Sequence, residues 1–275
     1  MRSRVADILV EIVERRRISL SANQSLGLDG LRDHVSFPLV ENEFTTALRS
    51  QRGSAVIAEI KMGSPRLGSL ADRVDPLEQA RIYGRSGASA LSVVVEPDYF
   101  LGSYELLRQC REESGLPVLA KDFVVGLEQL DWAAEAGADA VLLIAALYER
   151  HELQGLATEA RRRGLAPLVE THDRRDVDLL NEVSRLATEG PSGWEMTGVN
   201  HRDLRTFEVE LDVSTGLIDD LPTEAVRVAE SGIRGKADMD LLASRGFEAF
   251  LIGEALLLAT NPGALLVAMT GGASE

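Results

Sequence analysis

The sequence predicts an α/β protein, a (β/α)8 barrel with an N-terminal helical extension, and three observations carry that expectation. Short apolar runs recur eight times along the 275 residues, at intervals of roughly 22 to 35. Most segments between them read as amphipathic helices. The runs are apolar throughout rather than alternating, which suits parallel strands covered on both faces.

Taken in order, residues 1–17 place Val5, Ile8, Leu9, Ile12 and Val13 on one stripe of a helix. Residues 18–42 read as irregular, and Phe44, Ala47 and Leu48 mark a second, short helix. The runs follow at 55–60 (AVIAEI), 90–95 (ALSVVV), 117–120 (PVLA), 140–144 (AVLLI), 166–169 (APLV), 196–199 (MTGV), 226–229 (VRVA) and 249–252 (AFLI). Gly87, Gly137 and Gly246 each precede a run, where a helix C-terminus favours a residue free to take positive φ. Thr188 to Trp194 (TEGPSGW) reads as a loop lengthening the connection before the sixth run. No P-loop or G-x-G-x-x-G turn follows the first run, which favours a closed TIM barrel over an open nucleotide-binding sheet. Residues 1–50 are expected to form the extension and 51–275 the barrel, with no linker separating a second domain.

Composition narrows the function. Asp and Glu number 44 against 29 Lys and Arg, a net charge of −15. That balance argues against nucleic acid or an anionic membrane as partner, and an anionic small-molecule substrate would need a locally positive pocket. The single cysteine, Cys110, excludes an internal disulfide and reads as a small buried hydrophobe. His34, His151, His172 and His201 are scattered, so no metal is expected. No apolar run approaches the roughly 18 residues that span a bilayer, and acidic residues interrupt any signal-peptide core; a cytoplasmic monomer is expected. Only three basic residues are lysines: Lys61, Lys121 and Lys236. In a chain that uses Arg as its general cation, a retained Lys suggests a phosphate anchor or a tunable acid. Lys61 and Lys121 stand at the ends of apolar runs.

In a parallel barrel the chemistry gathers at the C-terminal strand ends. Glu59 and Lys61 share one side of the first run, and Lys121 shares a side with Leu119, with Asp122 opposite. Glu170, Asn200, Glu230 and Ser231 end the fifth, sixth and seventh runs. Facing inward, these residues would bring three carboxylates, two ammoniums and an amide to one mouth. Buried charges are costly unless paired, and pairing adds little net stability, so the set reads as catalytic rather than structural. Gly232 and Gly253, just past the seventh and eighth runs, with Glu254 following, would let backbone N–H groups approach a phosphate. Phe100, Phe123, Leu142 and Leu204 either line an aromatic-ring pocket or pack the core. His172 and His201 read as solvated loop residues.

Six strings together resemble the indole-3-glycerol phosphate synthase family. They are Glu59-Ile60-Lys61-Met62-Gly63-Ser64-Pro65, Glu96-Pro97-Asp98-Tyr99-Phe100-Leu101-Gly102-Ser103-Tyr104 and Val118-Leu119-Ala120-Lys121-Asp122-Phe123. The others are Leu168-Val169-Glu170, Asn200-His201-Arg202-Asp203-Leu204 and Ala229-Glu230-Ser231-Gly232-Ile233. The resemblance runs from about Phe44 to Leu258 in motif order. It implies ring closure of 1-(2-carboxyphenylamino)-1-deoxyribulose 5-phosphate, with loss of carbon dioxide and water, without cofactor or metal. By the same resemblance Lys121 is a general acid, Lys61 holds the substrate carboxylate, and Glu170 is acid or base in the dehydration. Glu59, Asn200 and Ser231 orient hydroxyls and lysines, Arg202 and Glu230 complete the polar network, and Ser64 and Pro65 belong to the binding motif.

Met62 stands where the family usually has a second basic residue, Arg66 where it has Ser or Thr, and Ala255 where a serine is common. These departures touch binding more than proton transfer. They leave open a paralogue acting on a substituted anthranilate derivative, and a non-catalytic sugar-phosphate-binding barrel is the competing class. Phosphoribosylanthranilate isomerase, on the same architecture, uses a strand-end cysteine where this chain has Glu59 to Lys61, and is rejected.

Overall fold

Every residue of β1 (Ala55–Ile60) is buried, as a strand apolar on both faces requires. The computed structural model describes residues 6–21, 38–65, 68–70, 72–186, 193–202 and 208–271. After β1 comes a short antiparallel hairpin, β2 (Gly63–Ser64) and β3 (Gly68–Ser69), which the apolar pattern does not announce. The parallel strands resume with β4 (Ala90–Val94), β5 (Val118–Lys121), β6 (Ala140–Ile144) and β7 (Ala166–Thr171). They end with β8 (Met196–Asn200), β9 (Val226–Glu230) and β10 (Ala249–Ile252). β1 pairs with both β4 and β10, so the sheet closes into an eight-stranded parallel barrel. All eight apolar runs are strands.

The helices are α1 (Ala6–Ser21), α2 (Glu43–Ser50), α3 (Pro76–Arg85), α4 (Tyr104–Ser114), α5 (Leu127–Glu135) and α6 (Arg150–Arg162). They continue with α7 (Arg174–Leu186), α8 (Lys236–Ser244), α9 (Glu254–Leu258) and α10 (Pro262–Thr270). Their ends follow local chemistry. Asp75 caps α3 ahead of Pro76, Ser103 caps α4, and Gly87, Gly137 and Gly246 take the positive φ expected of them. α1 runs on past residue 17, into the stretch expected to be irregular, because Leu20 continues the apolar stripe and is buried with Val13 and Val125; residues 22–37 of that stretch lie outside the described residues. Among the described residues β8 and β9 are joined by 3-10 turns, Leu211–Gly216 and Ile218–Asp220, rather than an α-helix. Of the loop expected at 188–194, residues 188–192 lie outside the described residues. Trp194 belongs to the core instead, its indole N–H donating to the Leu180 carbonyl at 3.3 Å.

Strand alternation sorts the apolar residues into two layers. Ile57, Leu119, Leu168, Met196, Val228 and Leu251 fill the barrel interior. Their neighbours Val56, Ala120, Val169, Val199 and Ala229 pack outward against the helices. One end of the interior is plugged by Phe44 and Leu48 of α2, both fully buried. Continued to the other end, the inward parity reaches Glu59, Lys61, Lys121, Glu170, Asn200 and Glu230. Stability and polar chemistry therefore sit at opposite ends of one column. Replacing Phe44 by Ala should cost about 3–5 kcal/mol in urea unfolding, with turnover per folded molecule unchanged.

Candidate active site

A cavity of about 690 Å3 opens at the C-terminal strand ends. Glu59, Lys61, Lys121, Glu170, Asn200 and Ser231 all line it. Phe100, Phe123 and Leu142 form part of its apolar wall, with the two phenyl rings 6.2 Å apart. Ser64 and Pro65 stand at one edge, and Arg202, Gly232, Gly253 and Glu254 at another. Leu204 lies outside the described residues, as does Arg66. Glu230 differs from the rest: it is 1% exposed and enclosed in the barrel interior rather than on the cavity wall.

The charged groups meet as one connected set. Lys61 Nζ lies 2.8 Å from Glu59 Oε1, and Lys121 Nζ lies 3.3 Å from Glu59 Oε2 and 3.5 Å from Glu230 Oε2. Burial works against the charge on Glu59, but Lys61 and Lys121 outweigh it and hold the carboxylate down at about 2. Burial likewise opposes the Lys121 ammonium. Glu59, Glu230 and Glu170 overcome it and keep the group above its ordinary range. Glu170 and Glu230 are driven apart: burial and then repulsion from Glu170 push Glu230 up, with Lys121 offsetting only part. Glu170 is equally buried, yet His172 and Lys121 bring it below the usual carboxylate range. The site thus gathers two lysines and three carboxyl groups, of which Glu230 is the hardest to ionise.

Arg202 lies at the cavity's other end, 3.3 Å from Glu254, and its backbone N–H donates to Asn200 Oδ1 at 3.0 Å. Ser231 (φ 67°) and Gly232 (φ 78°) turn the chain sharply as it leaves β9. A left-handed conformation is uncommon for serine. Among the described residues no group of three or more His, Cys, Asp or Glu is disposed to hold a metal ion.

The expectation of solvated histidines is corrected. His201 is 1% exposed, its Nδ1 lying 2.8 Å from the Glu230 carbonyl and its ring edge-on to Phe247. His172 is half-buried, and both its ring nitrogens are shielded from solvent without a hydrogen-bond partner among the described residues. Cys110 is buried on α4, as expected.

Several supporting roles had no signal in the sequence. A Cβ at Gly253 would fall 2.3 Å from Glu59 Oε1, and one at Gly198 would fall 2.2 Å from Glu230 Oε1. Two glycines thus make room for two carboxyl groups. The buried Glu96 carboxylate accepts the backbone N–H groups of Asp98, Tyr99 and Phe100 at 2.7–3.0 Å, which holds the loop carrying Phe100. Asp122, next to Lys121, forms a buried ion pair with Arg16 and accepts from Tyr104 and Gln129. Arg16 thereby fixes α1 so that Leu9 and Ile12 become cavity wall. Of the stripe expected over residues 1–17, Leu9, Ile12 and Val13 lie on α1 and Val5 falls outside the described residues; the helix's covering of the site was not legible.

These features define a (β/α)8 barrel with an ion-paired acid–base cluster beside an apolar wall at its C-terminal rim. The sequence matches the family described as indole-3-glycerol phosphate synthase over residues 9–268. It is 39% identical over 269 residues to the indole-3-glycerol phosphate synthase of Leptothrix cholodnii, covering 96% of this chain and 99% of that protein. The thiamine phosphate pyrophosphorylase of Pyrococcus furiosus superposes with a TM-score of 0.55 at 14% identity, covering 81% of this chain and 96% of that one, a likeness of fold alone. The chain belongs to the indole-3-glycerol phosphate synthase family.

Gly253→Ala tests whether this packing matters. The added methyl should push Glu59 from its two lysines and lower kcat by about tenfold or more, roughly 1.4 kcal/mol in the barrier. Urea unfolding should change far less than turnover.

Proposed function

We propose that this cavity closes the ring of 1-(2-carboxyphenylamino)-1-deoxyribulose 5-phosphate, releasing carbon dioxide and water to leave indole-3-glycerol phosphate. The observation that carries the reading is Lys121, an ammonium held between Glu59 and Glu230 on the wall of a cavity that also exposes aromatic rings. Attack of the aryl carbon on the ribulose ketone develops an alkoxide. An alkoxide is basic enough to take a proton even from an ammonium that carboxylates hold above its ordinary range. Lys121 is therefore the general acid of ring closure, and its neighbours keep it charged until the oxygen needs the proton.

Lys61 binds the substrate carboxylate and, after ring closure, lets that carboxylate leave as carbon dioxide while the ring regains aromaticity. Glu170 moves the proton in the dehydration that follows. Glu59 keeps the two lysines apart and oriented, and Asn200 and Ser231 orient the sugar hydroxyls. Phe100, Phe123 and Leu142 hold the aryl ring. The phosphate lies against the backbone of Gly232 and Gly253, with Arg202 and its partner Glu254 beside it and Ser64 and Pro65 closing the near edge. Ala255 lines this end without offering a hydroxyl, so the cup relies on backbone N–H groups. Among the described residues no helix is long and apolar enough to cross a membrane. In this reading the enzyme works in the cytoplasm as a monomer.

Lys121→Met should lower kcat by about a hundred- to ten-thousandfold, with substrate affinity nearly unchanged and the fold retained. Appearance of indole fluorescence on mixing protein and substrate is the assay. A variant of parental activity would remove Lys121 from the mechanism, and tight binding by the parent without turnover would mark a non-catalytic binder. Glu170→Gln should slow dehydration selectively, so that a decarboxylated intermediate accumulates in quenched-flow samples.

A further inference from the structure

We propose that His172, lying between the carboxylates of Glu170 and Asp176, is a positioning residue whose positive charge favours ionisation of Glu170 over that of Glu230. The inference rests on the reading that Glu170 serves the dehydration, and it assigns that residue the part of base.

The geometry begins at Gly198. This residue pairs with Glu170 across the β7–β8 ladder and has no side chain to separate Glu170 from Glu230, whose Oε1 occupies the space a Cβ would take. Two buried carboxyls on either side of this glycine oppose each other's ionisation, so their surroundings decide which gives up its proton more readily. Glu230 has Lys121 at 3.5 Å. Glu170 has His172 Nε2 at 3.1 Å, and the other ring nitrogen, Nδ1, faces Asp176 Oδ2 at 3.5 Å. Neither contact has hydrogen-bond geometry, so the ring is held by charge: a cation at these distances is attracted to both carboxylates, and a neutral ring to neither.

The groups around the ring are Glu170 on β7 and Asp176 on α7, with Glu230 on β9 and Lys121 on β5 beyond Glu170. Burial opposes the charge on His172, but Asp176 and Glu170 raise its pKa to about 10, so the cation persists across the working range. Because His172 does not line the cavity, it acts through Glu170 and touches no substrate.

Two measurements test this. In protein labelled with [15N]histidine, the ring signals lost in His172→Gln should stay at imidazolium positions well above neutral pH. A neutral ring near pH 8 overturns the inference whatever the kinetics show. Removing the cation raises the pKa of Glu170, so the acidic limb of the kcat–pH profile in His172→Gln should move up by about one unit or more, with kcat below that limb down about tenfold. KM should change little, and His172→Lys should restore much of the limb. A limb that coincides with the parental one refutes the inference. Should His172→Gln fail to fold, Asp176→Asn keeps the ring in place. It should lower the pH at which the ring signals titrate by about a unit, and an unmoved titration counts against the clamp. Parental activity in Glu170→Gln would instead sink the assignment of Glu170 to the dehydration, while the nitrogen signals report the charge on His172 independently.

Discussion

A buried carboxylate shared by two ammoniums is the interaction on which this site depends. Glu59, 9% exposed, would be costly to ionise alone, and Lys61 and Lys121 make the charge tolerable. Such pairing contributes little net stability, and losing one partner leaves an uncompensated buried charge. The arrangement also sets demands on the strands around it. Lys121 on β5 reaches Glu59 on β1 across β4, whose residue paired with Glu59 is the small Ser92. On the other side β10 must pass close by, and its first residue beyond the ladder is Gly253, where any Cβ would collide with the carboxylate.

The second carboxyl pair obeys a different logic. Glu170 and Glu230 face two cations, Lys121 and His172, but Lys121 also serves Glu59 and His172 also serves Asp176, so the pair holds on to a proton more readily than either carboxyl alone. Unequal surroundings decide its position. The histidine behind Glu170 is itself backed by Asp176, whereas Lys121 divides its attraction between Glu230 and Glu59. Two carboxyls of one type thereby acquire different chemical character, as acid–base work on a single substrate requires.

Stability is supplied elsewhere. The interior column is closed at its far end by Phe44 and Leu48, away from the rim where ions meet. α1 links the two themes. Its inner face adds Leu9 and Ile12 to the cavity, while Arg16 is held by Asp122 one residue from Lys121 and Tyr99 donates to Glu11 at 2.6 Å. The helix is thus a fixed wall of the site, secured by contacts that span about a hundred residues of chain.

The eight strands, their inward parity and the residues at their ends were legible because alternation along a strand is a local property with period two. Glu59, Lys61, Lys121 and Glu170 could be named from it, and the scarcity of lysine singled out two of them. What each end group touches was not legible, since that depends on barrel closure and on strands distant in sequence. The spaces at Gly198 and Gly253, the burial of His201, the shielding of the His172 ring nitrogens and the Arg16–Asp122 pair all arise where separate elements converge. A glycine that accommodates a carboxylate from the neighbouring strand, about thirty or two hundred residues away along the chain, gives no sign of that role in the sequence. Local pattern determined which side chains face the interior, and only the closed tertiary structure decided which of them share a charge or a proton.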